Sequence, residues 1–180
     1  DYLKDQFNNA TQAIGQAGST FKPFTLAAGL ENGVSLATTF SGKNKTKVGN
    51  YVVVNYSGHN YGNSITLLKA TMNSVNSAYV QLADRIGLEN VMNSAIRAGI
   101  PQDAVGMEPN LAFTLGTASP HVVDIASAYS TFAAEGLQVK PTYIKLIKTT
   151  AGDTLYQYKA QTTQAFTPEV SATVTYALQQ

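Results

Sequence analysis

The sequence contains no cysteine and only two histidines, His59 and His121. The missing thiols exclude cysteine catalysis, disulfides and thiolate metal sites. With so few histidines, a Ser-His-Asp triad is nearly unsupported and a multi-histidine metal site is not available. Charge is scarce as well: 13% of the 180 residues are charged and the formal net charge is +1. Nucleic-acid binding normally leaves a basic stripe, and this balance argues against it. Disorder requires low hydrophobicity and high net charge, whereas 44% of these residues are hydrophobic. No apolar run reaches the length of a membrane span, and no signal peptide opens the chain at Asp1-Tyr2. An anchor ahead of that point stays open. The length suits one domain with a sizeable core.

What is present centres on Gly18-Ser19-Thr20-Phe21-Lys22-Pro23-Phe24. Ser19 reads as an N-cap, and Phe21, Phe24, Leu26, Ala27 and Leu30 follow at helical spacing. Pro23 is tolerated because the first turn has no intrahelical acceptor for the N–H it lacks. The spacing predicts a helix running to Glu31 and closing at Asn32-Gly33. Lys22 lies one turn from Ser19 on the same face, the minimum geometry for a serine nucleophile with a lysine base. Alone the pattern is weak, because most Ser-x-x-Lys matches are a cap and a solvated lysine.

Ahead of this stretch lies a polar lead-in with Phe7 and Ile14 as its apolar anchors. Behind it, residues 34–65 read as a Gly/Asn/Ser/Thr-rich excursion with one strand signal at Tyr51-Val52-Val53-Val54. Lys43, Lys45 and Lys47 read as a solvated loop tip. From Thr66 the pattern is helical, with a break at Asn73-Ser74 and stops at Gly87 and Gly99. The strongest amphipathic pattern spans 121–134, where His121 and Asp124 are read as serving the helix start. A hairpin turning at Ala151-Gly152-Asp153 follows, and a last helix begins after Thr167-Pro168-Glu169 and is read as running on to Gln180. His59 reads as a solvated loop residue near a cleft mouth.

The second chemical signal is Ser74-Val75-Asn76, placed in the break between two apolar helical runs. By itself it fits a helix cap and local turn bonds. Together, Ser19-x-x-Lys22 and Ser74-x-Asn76 resemble the first two motifs of the Ser-x-x-Lys, Ser-Asp-Asn and Lys-Thr-Gly set. With their flanks, among them Ile65-Thr66-Leu67, Val80-Gln81-Leu82-Ala83, Thr114-Leu115-Gly116 and Asp124-Ile125-Ala126-Ser127-Ala128-Tyr129, they are similar to the transpeptidase domain of bifunctional (class A) penicillin-binding proteins. The resemblance spans essentially the whole chain.

That resemblance implies an α/β chain holding part of the β-lactamase/transpeptidase-like fold, mostly its helical part with a small hairpin. It implies a D,D-transpeptidase that cross-links peptidoglycan stem peptides through an acyl-serine and is a target of β-lactam antibiotics. Ser19 is then the nucleophile and Lys22 its base. Ser74 relays a proton, and Asn76 holds Lys22 and the substrate amide. Other enzymes with the same motif hand the acyl group to water, as D,D-carboxypeptidases and serine β-lactamases do. A non-hydrolysing penicillin-binding sensor stays acylated. No cofactor or metal is implied.

Two departures stand out: Gly15-Gln16-Ala17-Gly18 replaces the usual Arg-Gln-Pro-Gly, and no Lys-Thr-Gly or Lys-Ser-Gly occurs anywhere. The expectation is therefore an incomplete domain over residues 1–180, with a second polypeptide carrying the Lys-Thr-Gly strand. The face Phe21, Phe24, Leu26 and Leu30 is expected to be bare, and the chain alone to be inactive. The resemblance also implies an extracytoplasmic location, anchored to the bacterial membrane through a segment absent from this chain.

Overall fold

In the computed structural model, residues 3–4 and 6–180 are described; Asp1-Tyr2 lies outside the described residues. The organising element is α1, Lys22–Glu31, entered through a 3₁₀ turn at Gly18–Phe21. Every residue from Phe21 to Gly29 is buried, so α1 is a core helix and not an amphipathic surface one. It packs against α3 (Asn76–Ile86), α4 (Leu88–Ala98), α6 (Pro168–Leu178) and a 3₁₀ turn at Phe113–Leu115. A Cβ on Gly29 would stand 3.1 Å from Leu82, which is how closely α1 approaches α3. Ser94 on α4 donates its hydroxyl to the Phe24 carbonyl at 2.8 Å, and Arg97 pairs with Glu31 while lying 4.9 Å from the Phe166 ring.

The aromatic residues of α1 are covered by this same chain, which corrects the expectation of a bare face. Phe21, Phe24 and Leu26 are fully buried and Leu30 is half-buried. Phe21 meets Phe113 edge-on at 4.7 Å, and Phe24 stacks on Phe132 of α5 (Val122–Ala133) at 5.9 Å. Phe132 in turn stacks on Phe166 at 5.2 Å. Burying each such side chain contributes about 1.5–3 kcal/mol, which holds α5 and the Phe166 segment against α1. Exposed apolar surface is found elsewhere, on Tyr143, Ile144, Leu155 and Tyr176.

Strands are short and occur as four two-stranded antiparallel sheets among the described residues. β1 (Thr39–Phe40) pairs with β4 (Ile65–Thr66), and β2 (Thr46–Val48) with β3 (Tyr51–Val53). β5 (Leu137–Val139) pairs with β8 (Thr162–Gln164), and between them β6 (Leu146–Lys148) and β7 (Thr154–Gln157) form the anticipated hairpin. α2 (Leu67–Met72) is capped by Thr66 and separated from α3 by the Asn73-Ser74 break. α6 is capped by Thr167 and closes at Leu178, two residues short of the run to Gln180. No helix among the described residues is long and apolar enough to cross a membrane.

Backbone hydrogen bonds tie the lead-in to the rest of the chain. Phe7 and Ile14, expected as anchors, are 53% and 57% exposed. The lead-in docks through the N–H of Val123, which donates to the Ala10 carbonyl at 3.1 Å, and that of Ala17, which donates to the Ala118 carbonyl at 2.8 Å. His121 adds a ring N–H donated to the Ala13 carbonyl, while its backbone N–H is accepted by the Asp124 carboxylate. Lys43, Lys45 and Lys47 are exposed as expected, with Lys47 on β2.

Candidate active site

Ser19 is not an N-cap. It lies inside the 3₁₀ turn, and its hydroxyl is 3.1 Å from the Lys22 amine. The tighter winding places residues three apart one above the other, so the Ser19 hydroxyl and the Lys22 amine meet directly. Ser19 is exposed, whereas Lys22 is only 3% exposed. Two outside contacts fix the turn. Tyr129 on α5 donates its hydroxyl to the Thr20 carbonyl at 2.8 Å, and the Gly18 N–H donates to the Gly116 carbonyl at 3.0 Å. Gly116 has φ +79, and a Cβ there would stand 2.0 Å from the Gly18 carbonyl oxygen. Only glycine fits that approach.

Ser74 and Asn76 reach the same lysine. Lys22 Nζ lies 2.7 Å from the Ser74 carbonyl, 2.8 Å from the Ser74 hydroxyl and 2.7 Å from Asn76 Oδ1. Ser74 has φ +51, a left-handed conformation that costs a non-glycine residue about 1 kcal/mol. That twist turns both oxygens of one residue toward one amine. All four residues singled out in the sequence therefore meet at a single nitrogen.

The donor inventory determines what this nitrogen does. The Ser74 carbonyl and Asn76 Oδ1 only accept, so in a neutral amine they take both N–H groups. The lone pair is left to the two hydroxyls, Ser19 and Ser74. Burial pushes Lys22 down from 10.5 to about 8, and no carboxylate accepts from its amine among the described residues. Burial is the cause of that shift in this chain. The Tyr79 ring lies 5.5 Å from Nζ, and burial holds the Tyr79 hydroxyl far above its ordinary value, so it stays neutral as the lysine titrates.

The pH dependence has a definite sign. Below about 8 the amine is protonated and cannot accept the Ser19 proton; above it the base is available. Acylation of the complete domain by penicillin is expected to rise with pH to a plateau as Lys22, its pKa lowered by burial, loses its proton. A stopped-flow pH series checks this, and a rate flat from pH 6 to 9 removes Lys22 as the base. Stability follows the same sign: the unfolded chain holds this proton more tightly, so folding gains as pH rises from about 8 toward 10.5.

Residues 1–180 match the family described as penicillin binding protein transpeptidase domain. The chain belongs to the penicillin-binding protein transpeptidase family. Among curated members, penicillin-binding protein 1A of Aquifex aeolicus is 31% identical over 159 residues, covering 86% of this chain and 21% of its own length. Penicillin-binding protein 2D of Bacillus subtilis is 30% identical over 183 residues, covering 99% of this chain and 26% of its own. The chain thus spans about a fifth to a quarter of these relatives. Among solved structures, PonA1 of Mycobacterium tuberculosis in complex with penicillin V superimposes with a TM-score of 0.85 at 29% identity, over 95% of this chain and 48% of that one. The fold is that of the penicillin-binding transpeptidases, present here in part.

Sequence reasoning left several contributors to this site without a role. Gly116 was part of the resemblance, but its contact with Gly18 depends on a fold that joins positions about a hundred residues apart. Tyr129 was likewise part of the resemblance and of the amphipathic helix, with nothing local to say that its hydroxyl reaches the Thr20 carbonyl. Thr25 and Thr114 share a buried hydroxyl contact at 2.6 Å that ties α1 to the Gly116 turn. His59, expected near the cleft mouth, is exposed, and its carbonyl accepts from the Asn55 amide.

Proposed function

We propose that this chain is the nucleophile-bearing part of a serine D,D-transpeptidase domain of peptidoglycan synthesis, and that β-lactam antibiotics acylate it. The observation that carries the reading is the single buried amine shared by Ser19, Ser74 and Asn76, with its pKa lowered to about 8. Ser19 Oγ attacks the carbonyl between the two terminal D-alanines of a stem peptide while Lys22 takes its proton. The C–N bond breaks, and Ser74 passes a proton to the departing D-alanine. An amine of a neighbouring stem peptide then attacks the acyl-serine and frees Ser19. Asn76 holds Lys22 throughout and is placed to meet the substrate amide.

The Ser19 N–H, in the first turn of its helical segment, serves as one oxyanion donor. A second donor and a Lys-Thr-Gly strand come, in this reading, from outside residues 1–180. Its support is the 48% coverage of PonA1 and the lack of any Lys-Thr-Gly in the sequence. The location proposed with it is extracytoplasmic, on a membrane-anchored parent. A stem-peptide donor mixed with an amine acceptor and the complete domain is the test. Cross-linked product is expected. Hydrolysed donor alone indicates a carboxypeptidase or β-lactamase, and a persistent acyl-enzyme without product indicates a sensor; either outcome overturns the proposal.

A further inference from the structure

Asn55 is 1% exposed and sits in the loop after β3, with no atom on the reacting groups. Its Oδ1 accepts the N–H of Ser77, in the first turn of α3, at 2.9 Å. That N–H is one of the helix-start donors with no intrahelical acceptor, normally satisfied by the N-cap side chain. The N-cap of α3 is Val75, which has nothing to offer. The cap therefore comes from 22 residues upstream. On the preceding residue, the Val54 carbonyl accepts from Asn76 Nδ2 at 2.9 Å, which turns Oδ1 of the same amide toward Lys22 at 2.7 Å.

From this geometry we infer that Asn55 is a positioning residue of the active site, setting the Ser74–Asn76 turn so that Lys22 meets its acceptors. The Val54–Asn55 peptide grips Asn76 at two points: the carbonyl holds its side chain, and the Asn55 side chain holds the backbone that follows it. Asn55 is itself fixed by its remaining groups. Its Nδ2 donates to the carbonyls of Gly42 and His59, each at 3.0 Å, and its backbone N–H donates to Asn44 Oδ1 at 3.0 Å. The Gly42 carbonyl also accepts from Tyr61, and a Cβ on Gly42 would stand 2.7 Å from the Tyr61 Cβ, so the loop around Asn55 has no slack. A buried asparagine that only stabilised its loop would not cap a helix beginning at the site. The inference rests on the acyl-serine reading for its functional meaning, but its geometry is independent of it.

The test is the Lys22 titration in the complete domain, read by the Cε chemical shift, alongside the penicillin acylation rate. Asn55→Ala is expected to slacken the turn, admit water to Lys22 and raise its midpoint by about one pH unit. Acylation at pH 7 is expected to fall at least tenfold. The control is Thr131→Ala, which removes a buried hydroxyl bond to the Ala98 carbonyl in the α5–α4 contact. It is expected to lower the melting temperature while leaving the midpoint in place. Should Asn55→Ala not fold, Asn55→Ser is read the same way, since a hydroxymethyl cannot reach Ser77 and both carbonyls at once. An unmoved midpoint in the Asn55 variant, or one that moves equally in Thr131→Ala, overturns the inference. A shifted midpoint in a protein whose wild type is not acylated leaves the positioning role standing and removes the acyl-serine reading.

Discussion

Penicillin is expected to form its adduct on Ser19 of the complete domain, and Ser19→Ala is expected to reduce labelling to background. Two hydroxyls compete for the Lys22 lone pair, Ser19 at 3.1 Å and Ser74 at 2.8 Å, so distance alone does not choose between them. Access and backbone do. Ser19 is exposed on a turn whose own N–H is available to a developing oxyanion, while Ser74 is half-buried with both its oxygens directed at the lysine. Removing the nucleophile of a serine acyl-transfer enzyme typically costs about a million-fold, with no partial activity left for a neighbour to supply. Peptide mapping of the labelled protein is the measurement. An adduct on Ser74, or labelling of Ser19→Ala at the wild-type rate, assigns the nucleophile elsewhere.

The second large effect is expected from Lys22→Arg, which should lower acylation about a thousandfold. Arginine keeps the positive charge and can satisfy the acceptor oxygens around it, but it does not deprotonate at any working pH. The pocket is also built for a slim amine: Lys22 is 3% exposed and hydrogen-bonded to oxygens of three residues. Lys22→Met, of similar length and without charge, separates the loss of a base from the crowding of a guanidinium. Circular dichroism reports folding of both variants. If a folded Arg variant acylates within about tenfold of wild type, the proton goes to another group.

Much of this site was legible because its chemistry is carried by short, local spacings. Ser19 and Lys22 are one turn apart, and Ser74 and Asn76 flank a single residue in a helix break, so each pair is visible without knowledge of the fold. Helix stops were legible for the same reason: Gly87 and Gly99 adopt positive φ where the apolar patterns end. The opening of α1 was read wrongly because a cap and a 3₁₀ turn share the residues that favour them, and the choice is made by Gly116 and Tyr129 from far along the chain. The cover over Phe21 and Phe24 was misjudged because α5 and α6 read correctly as helices, but nothing in their periodicity says which helix they close upon. Asn55 was invisible for the same cause. An asparagine in a polar loop gives no local sign that it caps a distant helix.

The lysine's acceptors lie 52 and 54 residues from it in sequence, which makes the order of assembly matter. Closing a loop of that size costs about 3–4 kcal/mol of chain entropy before any contact is made. A local helix at α1 forms far earlier than the docking of α3 against it. In that interval Lys22 is solvated, protonated and far from Ser74, so the serine beside it is an ordinary alcohol. The chain is chemically inert until its long-range contacts close. On the proposed acyl-serine reading, a nascent or partly unfolded copy consumes no antibiotic, and covalent labelling counts only molecules that have finished folding.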